Sequence, residues 1–421
     1  MSEKIKVPEG WESVELGEIL KIETGSKNAE DSLLDGNYSF FTRAEETQKI
    51  DTYSYDTEAL FIAGEGNFRV KYYKGKFEAH QRTYILTSKN KNIDLLYLQK
   101  AIQPKITKLI STSVGSTVMS LRKPQIAEID ILTPKKKQEQ QKIAEVLSEV
   151  DSAISKTKEL LSKNERLKTA LMQDLLSYGI DENGKVRNPK THKFKSSLLG
   201  DIPNEWELKL FTEIYSFKTT NSLSRDELTY DNGLVKNIHY GDIHTKFSIL
   251  FNIENETIPY INSSFSLDRV NSENYCLEGD IIFADASEDI NDVGKSIEIV
   301  YVNGKKLLSG LHTLLARQKV QKLIVGFSGY LFMSNRIRNQ IKMEAQGAKV
   351  FGISKTSFSN IKIAFPTNPK EQKKIAQILS SQDEKIEDIK TKLTKLKSLK
   401  IALMQDLLSG KKRVTKLMES K

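Results

Sequence analysis

Few side chains in this sequence are spaced for chemistry. Its five histidines are His80, His192, His239, His244 and His312. None forms a His-Glu-x-x-His helix or has a cysteine beside it, so the usual zinc-ligand spacings are missing. His239 and His244 fall in a loop-like stretch running from Asn237 to His244, better read as polar surface than as a metal site. Gly294-Lys295-Ser296 resembles the end of a phosphate-binding loop, but Asp289 stands where that loop needs its first glycine. The acidic run from Asp285 to Asp292 lacks the central glycine and terminal glutamate of a calcium loop. Asn188-Pro189 and Asn368-Pro369 are each followed by lysine, not by the Pro-aromatic pair of an amino-methyltransferase. The single cysteine, Cys276, excludes an internal disulfide and a multi-thiolate metal site, and reads as a small buried hydrophobe. No catalytic set, metal or cofactor is expected. A nuclease with a scattered carboxylate site stays open.

The 421 residues suffice for two or three cores of ordinary size. No apolar run approaches the roughly 18 residues of a membrane span, and no apolar stretch follows Met1 as in a secretory signal. A reducing cytoplasm suits this composition. Of the net charge of +9, most lies in residues 367–421, where 14 Lys and Arg face 7 Asp and Glu. Bulk charge is compatible with a polyanion but does not identify one.

An internal repeat organises the chain. Glu139-Gln140-Gln141-Lys142-Ile143-Ala144 recurs as Glu371-Gln372-Lys373-Lys374-Ile375-Ala376, and the run from Ala170 to Ser177 recurs unchanged from Ala402 to Ser409. Both offsets are 232 residues, with about half of the intervening positions identical. Upstream, Val7-Pro8-Glu9-Gly10-Trp11-Glu12 echoes Ile202-Pro203-Asn204-Glu205-Trp206-Glu207. Just before each repeat, Gly115, Val118, Lys123, Ile129, Ile131 and Pro134 match Gly347, Val350, Lys355, Ile361, Ile363 and Pro366. Between these fixed points the two halves diverge.

The repeated segments carry a heptad seam. In the second copy it runs Ile375, Leu379, Gln382, Ile386, Ile389, Leu393, Leu396, Lys400, Leu403 and Leu407. In the first it runs Ile143, Leu147, Val150, Ile154, Thr157, Leu161, Asn164, Lys168, Leu171 and Leu175. Asn368 is placed to cap the second helix, with Pro369 at its first position and Glu371 completing a capping box. Gly179 and Gly410 suit left-handed C-caps. At about 1.5 Å per residue, helices of roughly 40 residues span about 60 Å. The economical cover for one narrow seam is the other, paired antiparallel, with Ile143 near Leu407 and Leu175 near Ile375. Packing of each helix on its own domain is the alternative.

The expected architecture is therefore two mixed α/β (α+β) domains separated by two long helices that form an antiparallel coiled coil. The boundaries read 1–134 for the first domain, 135–178 for the first helix, 179–201 for a linker, 202–366 for the second domain and 367–421 for the second helix and tail. Leu60 to Ala63, Thr83 to Leu86, Ile129 to Leu132, Ile281 to Ala284, Ile297 to Tyr301 and Ile361 to Ile363 read as strands. Leu95 to Ile102 and Tyr330 to Ile341 have helical spacing.

Taken together, the duplicated helix motifs, the linker from Gly179 through Asp201 to Trp206 and the pre-helix segment Gly115 to Pro124 resemble the specificity subunit of a type I restriction–modification enzyme. The likeness covers the whole length; Lys373 in place of a second glutamine is a small departure. It implies a non-catalytic subunit that recognises double-stranded DNA. Each target recognition domain would read one half of a split site, and the paired helices would set the unread spacer. The helices would also dock two modification (methyltransferase) subunits, which supply the S-adenosylmethionine chemistry, and restriction subunits would join them.

On that resemblance, contacts fall to amides, guanidinium groups and hydroxyls on loops. The candidates are Asn67, Arg69, Gln81, Arg82, Ser116, Thr117 and Lys123 in the first half. In the second they are Asn221, Arg225, Lys236, Asn237, His239, Lys349 and Lys355, with Ser116, Thr117, Lys123, Lys349 and Lys355 suited to phosphates. The helix-pairing set is Ile143, Leu147, Ile154, Leu161, Leu171, Leu175, Ile375, Leu379, Ile386, Leu393, Leu403 and Leu407. A coiled-coil scaffold with two protein-binding domains explains the heptads equally, but not the divergence of the two domains between matching flanks.

Overall fold

A computed structural model of the chain describes residues 7–112, 120–268 and 270–418. The chain divides into two compact units: residues up to 160 together with those from 389 onward, and residues 161–388. Each unit thus contains one variable segment and one portion of each long helix.

The first unit is built on a six-stranded sheet in the order Leu20–Thr24, Thr83–Ser88, Tyr55–Ala63, Lys71–Ala79, Tyr38–Phe41, Gln48–Ile50. Alternation along Tyr55–Ala63 serves two cores, because successive strand side chains face opposite ways. Ala59 and Phe61 join Phe41 and Phe77 in an aromatic cluster, with Phe41 and Phe61 stacked at 3.7 Å. Leu60 and Ile62 enter the larger core with Tyr97, Leu98, Ile102 and Ile106 of the helix Leu95–Thr112. The strand Trp11–Glu15 pairs antiparallel with Asp130–Pro134, which leads directly into the helix Lys137–Tyr178.

The second unit repeats that plan with different residues. Trp206–Leu210 pairs antiparallel with Lys362–Pro366, which leads into the helix Pro369–Leu408. A five-stranded sheet runs Tyr215–Lys218, Thr313–Gln318, Ile281–Ala284, Ser296–Tyr301, Leu250–Asn252. A further four-stranded sheet of short strands includes Lys236–Ile238 and Leu307–Ser309. The helical spacing from Tyr330 to Ile341 resolves into two helices, Ser328–Phe332 and Asn335–Glu344, broken at Met333-Ser334.

The repeated motifs lie where helix, strand and returning chain meet. In the second unit Glu371 receives Arg187 at 2.5 and 2.9 Å, the Trp206 indole N–H at 3.2 Å and the Ile180 N–H at 3.1 Å. In the first, Glu139 receives Arg413 at 2.6 and 2.8 Å, and the guanidinium lies 5.9 Å from the Trp11 ring centre. Hydrogen bonding to these carboxylates holds both arginines more firmly charged than usual. Glu371 is thus committed to Arg187 and Trp206, whereas the capping reading gave it to the helix N-terminus. Asn368 alone accepts there, from the Lys370 N–H at 2.9 Å.

The adjacent glutamines tie each helix to its own domain. Gln140 donates to the Pro134 carbonyl at 2.8 Å and accepts the Asp94 N–H at 2.8 Å. Gln372 donates to the Pro366 carbonyl at 2.8 Å and accepts the Ile324 N–H at 2.9 Å. At the other end of each repeat, Gly179 and Gly410 have φ of 64° and 68°. A Cβ at Gly179 would stand 2.2 Å from Glu371 Oε1, and one at Gly410 3.1 Å from the Trp11 ring, so the turn needs glycine for space as well as for φ.

Within each unit the two helix portions run in opposite directions. In the first, Ile143, Ala144 and Leu147 share a core with Leu403 and Leu407, and Asp151 pairs with Lys400 at 2.6 Å. In the second, Leu171 and Leu175 share a core with Ile375 and Leu379, Gln382 donates to the Asn164 side chain at 3.1 Å, and Lys168 pairs with Asp383. Ile386 and Leu393 are buried, while Ile154 and Leu161 are half-buried.

With both side chains under 10% exposed, removing one partner of the Arg187–Glu371 pair strands a buried charge. Glu371→Ala is expected to destabilise the second unit by about 3–5 kcal/mol in chemical denaturation, and the double variant with Arg187→Met to recover much of that loss.

Candidate nucleic-acid interface

In the first unit the polar candidates gather at the ends of Tyr55–Ala63 and Thr83–Ser88. Ala63 and Thr83 are paired across the sheet, so the loops that leave them are neighbours. Glu65 lies between two arginines, accepting Arg82 Nη1 at 2.6 Å and Arg43 Nη1 at 3.2 Å. The bond from Arg82 holds the Glu65 carboxyl below the ordinary range. Both arginines remain about two-thirds exposed, so their outer nitrogens reach solvent. Gln81 donates to Asn28 at 3.0 Å, and Asn67 accepts the Arg69 N–H at 3.0 Å, leaving Arg69 exposed. His80 accepts the Arg82 N–H through Nδ1, and burial pushes its imidazole down.

The pre-helix segment is stitched to this edge. Leu121 N–H donates to the Gly64 carbonyl at 2.8 Å, and Tyr84 donates to the Leu121 carbonyl at 3.1 Å. Lys123, exposed, opens the short helix Lys123–Ala127 just beyond. Ser116 and Thr117 lie outside the described residues.

The second unit corrects the loop reading of 236–244. Lys236–Ile238 is a strand, and Tyr240–Thr245 is a helix capped by His239, whose Nδ1 accepts the Gly241 N–H at 3.2 Å. Asn237 is therefore fully buried, accepting the Asn221 amide at 2.7 Å. It supports Asn221 from behind. The Lys236 ammonium lies 5.3 Å from the centre of the Tyr260 ring, and partial burial lowers its pKa. Arg225 grips Asp242 through two bonds of 2.8 Å, and Lys246 adds a third at 2.9 Å. Burial works to raise the Asp242 carboxyl, yet these hydrogen bonds outweigh it and hold the group low.

The sequence reading passed over the group next to this cluster. His312 follows Leu307–Ser309 at φ 53°, in the left-handed region that few residues other than glycine adopt, with Asn, Asp and His the commoner exceptions. Its Nδ1 meets Asp285 Oδ1 at 3.1 Å, and the Tyr240 ring packs edge-on at 5.3 Å. Asp285 sits mostly out of water, which raises its pKa. Ala286–Ser287 pairs with Phe351–Gly352, bringing the segment that carries Lys349 and Lys355 to the same edge, where both are exposed. The available signal was a polar residue before each of Thr83-Tyr84-Ile85-Leu86 and Thr313-Leu314-Leu315-Ala316. Among the described residues there is no cluster of three or more His, Cys, Asp or Glu fit for a metal, and no helix long and apolar enough to cross a membrane.

Comparison with known proteins bears on this frame. The family model for the type I restriction modification DNA specificity domain matches residues 8–165 and 203–398, and the chain belongs to that family. A specificity subunit of the type I restriction enzyme EcoDI from Escherichia coli is 32% identical over half of each chain. The MjaVIII specificity subunit of Methanocaldococcus jannaschii is 27% identical over 98% of this chain and 95% of its own. The fold is shared with the S subunit of a type I restriction–modification system from M. genitalium, at a TM-score of 0.62 and 16% identity, covering 97% of this chain and 98% of that one. A chain from another type I system aligns at a TM-score of 0.52 and 13% identity, over 96% of this chain and 98% of its own.

Arg225→Ala leaves Asp242 buried with Lys246 alone and is expected to cost about 1–3 kcal/mol in chemical denaturation. Adding Asp242→Asn, which removes the stranded charge, restores part of that loss. Unchanged stability in Arg225→Ala would assign the arginine to solvent rather than to Asp242.

Proposed function

We propose that this chain is the sequence-reading subunit of a cytoplasmic type I restriction–modification complex, and that it carries no reaction chemistry itself. Residues 1–134 and 202–366 are the two target recognition domains, and each reads one half of a split, asymmetric site in double-stranded DNA. Residues 135–178 and 367–421 supply two helices that pair antiparallel as a coiled coil and set the number of base pairs left unread. Residues 179–201 link the halves. The helices dock two modification subunits, which bring the methyl donor, and restriction subunits complete the nuclease. Family membership supports this reading, and the observation that carries it is a repeated helix frame bearing two diverged domains. A protein-binding scaffold has no use for that combination.

Base edges fall to Asn67, Arg69, Gln81 and Arg82 in the first domain, and to Asn221 and Arg225 in the second, with Asn237 and His239 supporting them from behind. Lys123, Lys236, Lys349 and Lys355 meet phosphates, which position the duplex without reading it.

The test is selection from a random-sequence duplex pool by the chain assembled with its modification subunits. A two-part motif with a fixed gap is expected. Replacing Lys349 and Lys355 by alanine should weaken binding evenly across sequences and reduce the salt slope by about one per lost contact. A pool with no enriched motif contradicts the proposal.

A further inference from the structure

The two domains have diverged, yet one position in each is built by the same hydrogen bonds. In the first unit, Gly64 N–H donates to the Arg82 carbonyl at 2.7 Å and Leu121 N–H to the Gly64 carbonyl at 2.8 Å. In the second, Asp285 N–H donates to the His312 carbonyl at 3.0 Å and Ile353 N–H to the Asp285 carbonyl at 2.8 Å. Leu121 and Ile353 are themselves related by the 232-residue offset. The strand pairs agree: Ala63 opposes Thr83, and Ala284 opposes Thr313. Arg82 and His312 therefore occupy one station, the residue immediately before the strand, in two otherwise dissimilar sheets.

The chemistry at that station is conserved in kind though not in residue. Each side chain can hydrogen-bond a base edge, and each is half or more exposed, 64% for Arg82 and 51% for His312. Each is held from one side by a carboxylate that is itself much less exposed: Glu65 at 18%, Asp285 at 27%. Anchoring one face of a reader fixes its direction and lowers the entropy lost when it meets a base. Arg82 spends Nη1 on Glu65 and His312 spends Nδ1 on Asp285, which leaves the other guanidinium nitrogens and the imidazole Nε2 outside these bonds. The left-handed backbone at His312 is a local cost that the fold keeps, as strained residues at working sites often show. Alongside each station runs the segment leading to the helix, with its exposed lysines, Lys123 in one unit and Lys349 and Lys355 in the other.

We propose that Arg82 and His312 read bases at one shared station of the two recognition domains, each aimed by the carboxylate beside it, Glu65 in the first and Asp285 in the second. The proposal rests on the DNA-reading function given above. Arg82 suits the paired O6 and N7 acceptors of guanine, and His312 makes a single bond to a base edge in the major groove. Glu65 and Asp285 are positioning residues.

The test uses the chain assembled with its modification subunits and a random-sequence duplex pool, comparing wild type with Arg82→Lys, Arg82→Ala, His312→Ala, Glu65→Gln and Asp285→Asn. Arg82→Lys keeps the charge but loses the two-pronged fork. It is expected to lose preference at one base pair of one half-site, on the order of 10- to 100-fold, with the other half-site unchanged. His312→Ala should flatten one position in the opposite half-site only, and Glu65→Gln and Asp285→Asn should each flatten, less strongly, the position read by the residue they aim. Thermal melting checks that each variant folds. Should Arg82→Ala melt early, Arg82→Lys decides the first station. Wild-type profiles for Arg82→Lys and His312→Ala, or an even loss across all positions, overturn the proposal. A wild-type pool without a two-part motif instead overturns the function on which it rests.

Discussion

The carboxylates of Glu139 and Glu371 are where each long helix, the strand before it and the chain returning past its glycine turn are joined. Arg413 closes the first junction and Arg187 the second, with Trp11 and Trp206 lying against the two guanidinium groups or carboxylates. A charge buried this far is tolerable only with a full set of partners, so the residues around it are constrained together. That is the physical reason the Glu-Gln, Trp and glycine motifs recur at matching places in both halves. Gln140 and Gln372 extend the junction into the domain, fixing the loop at Asp94 in one and at Ile324 in the other.

A rigid junction of this kind leaves the rest of each domain free to change. The sheet residues facing the core need only stay apolar. Glu65 with its two arginines and Asp285 with His312 are different solutions raised on the same backbone bonds. Recognition by two separable readers on a constant mount is what the family assignment leads one to expect.

Much of the frame was legible because repetition and heptad spacing are strong signals. The seam residues from Ile375 to Leu407 and the caps at Asn368, Gly179 and Gly410 follow from spacing and residue type alone. The interface was less so. Asn237 and His239 looked like loop residues because polar side chains mask a three-residue strand and a single-turn cap, and burial there is decided by pairing with Leu307–Ser309. Glu371 looked like a capping residue because its buried partner, Arg187, lies 184 residues away in sequence. His312 was invisible for a similar reason: its acid, Asp285, comes from another strand end.

The proposed function requires the helices to hold two independent readers at a set distance. Inserting one heptad in phase into each long helix would lengthen each by about 10 Å, close to the rise of three base pairs. Selection from a random duplex pool should then return both half-motifs unaltered, with a gap about three base pairs longer. An unchanged gap, or half-motifs that themselves change, would contradict it.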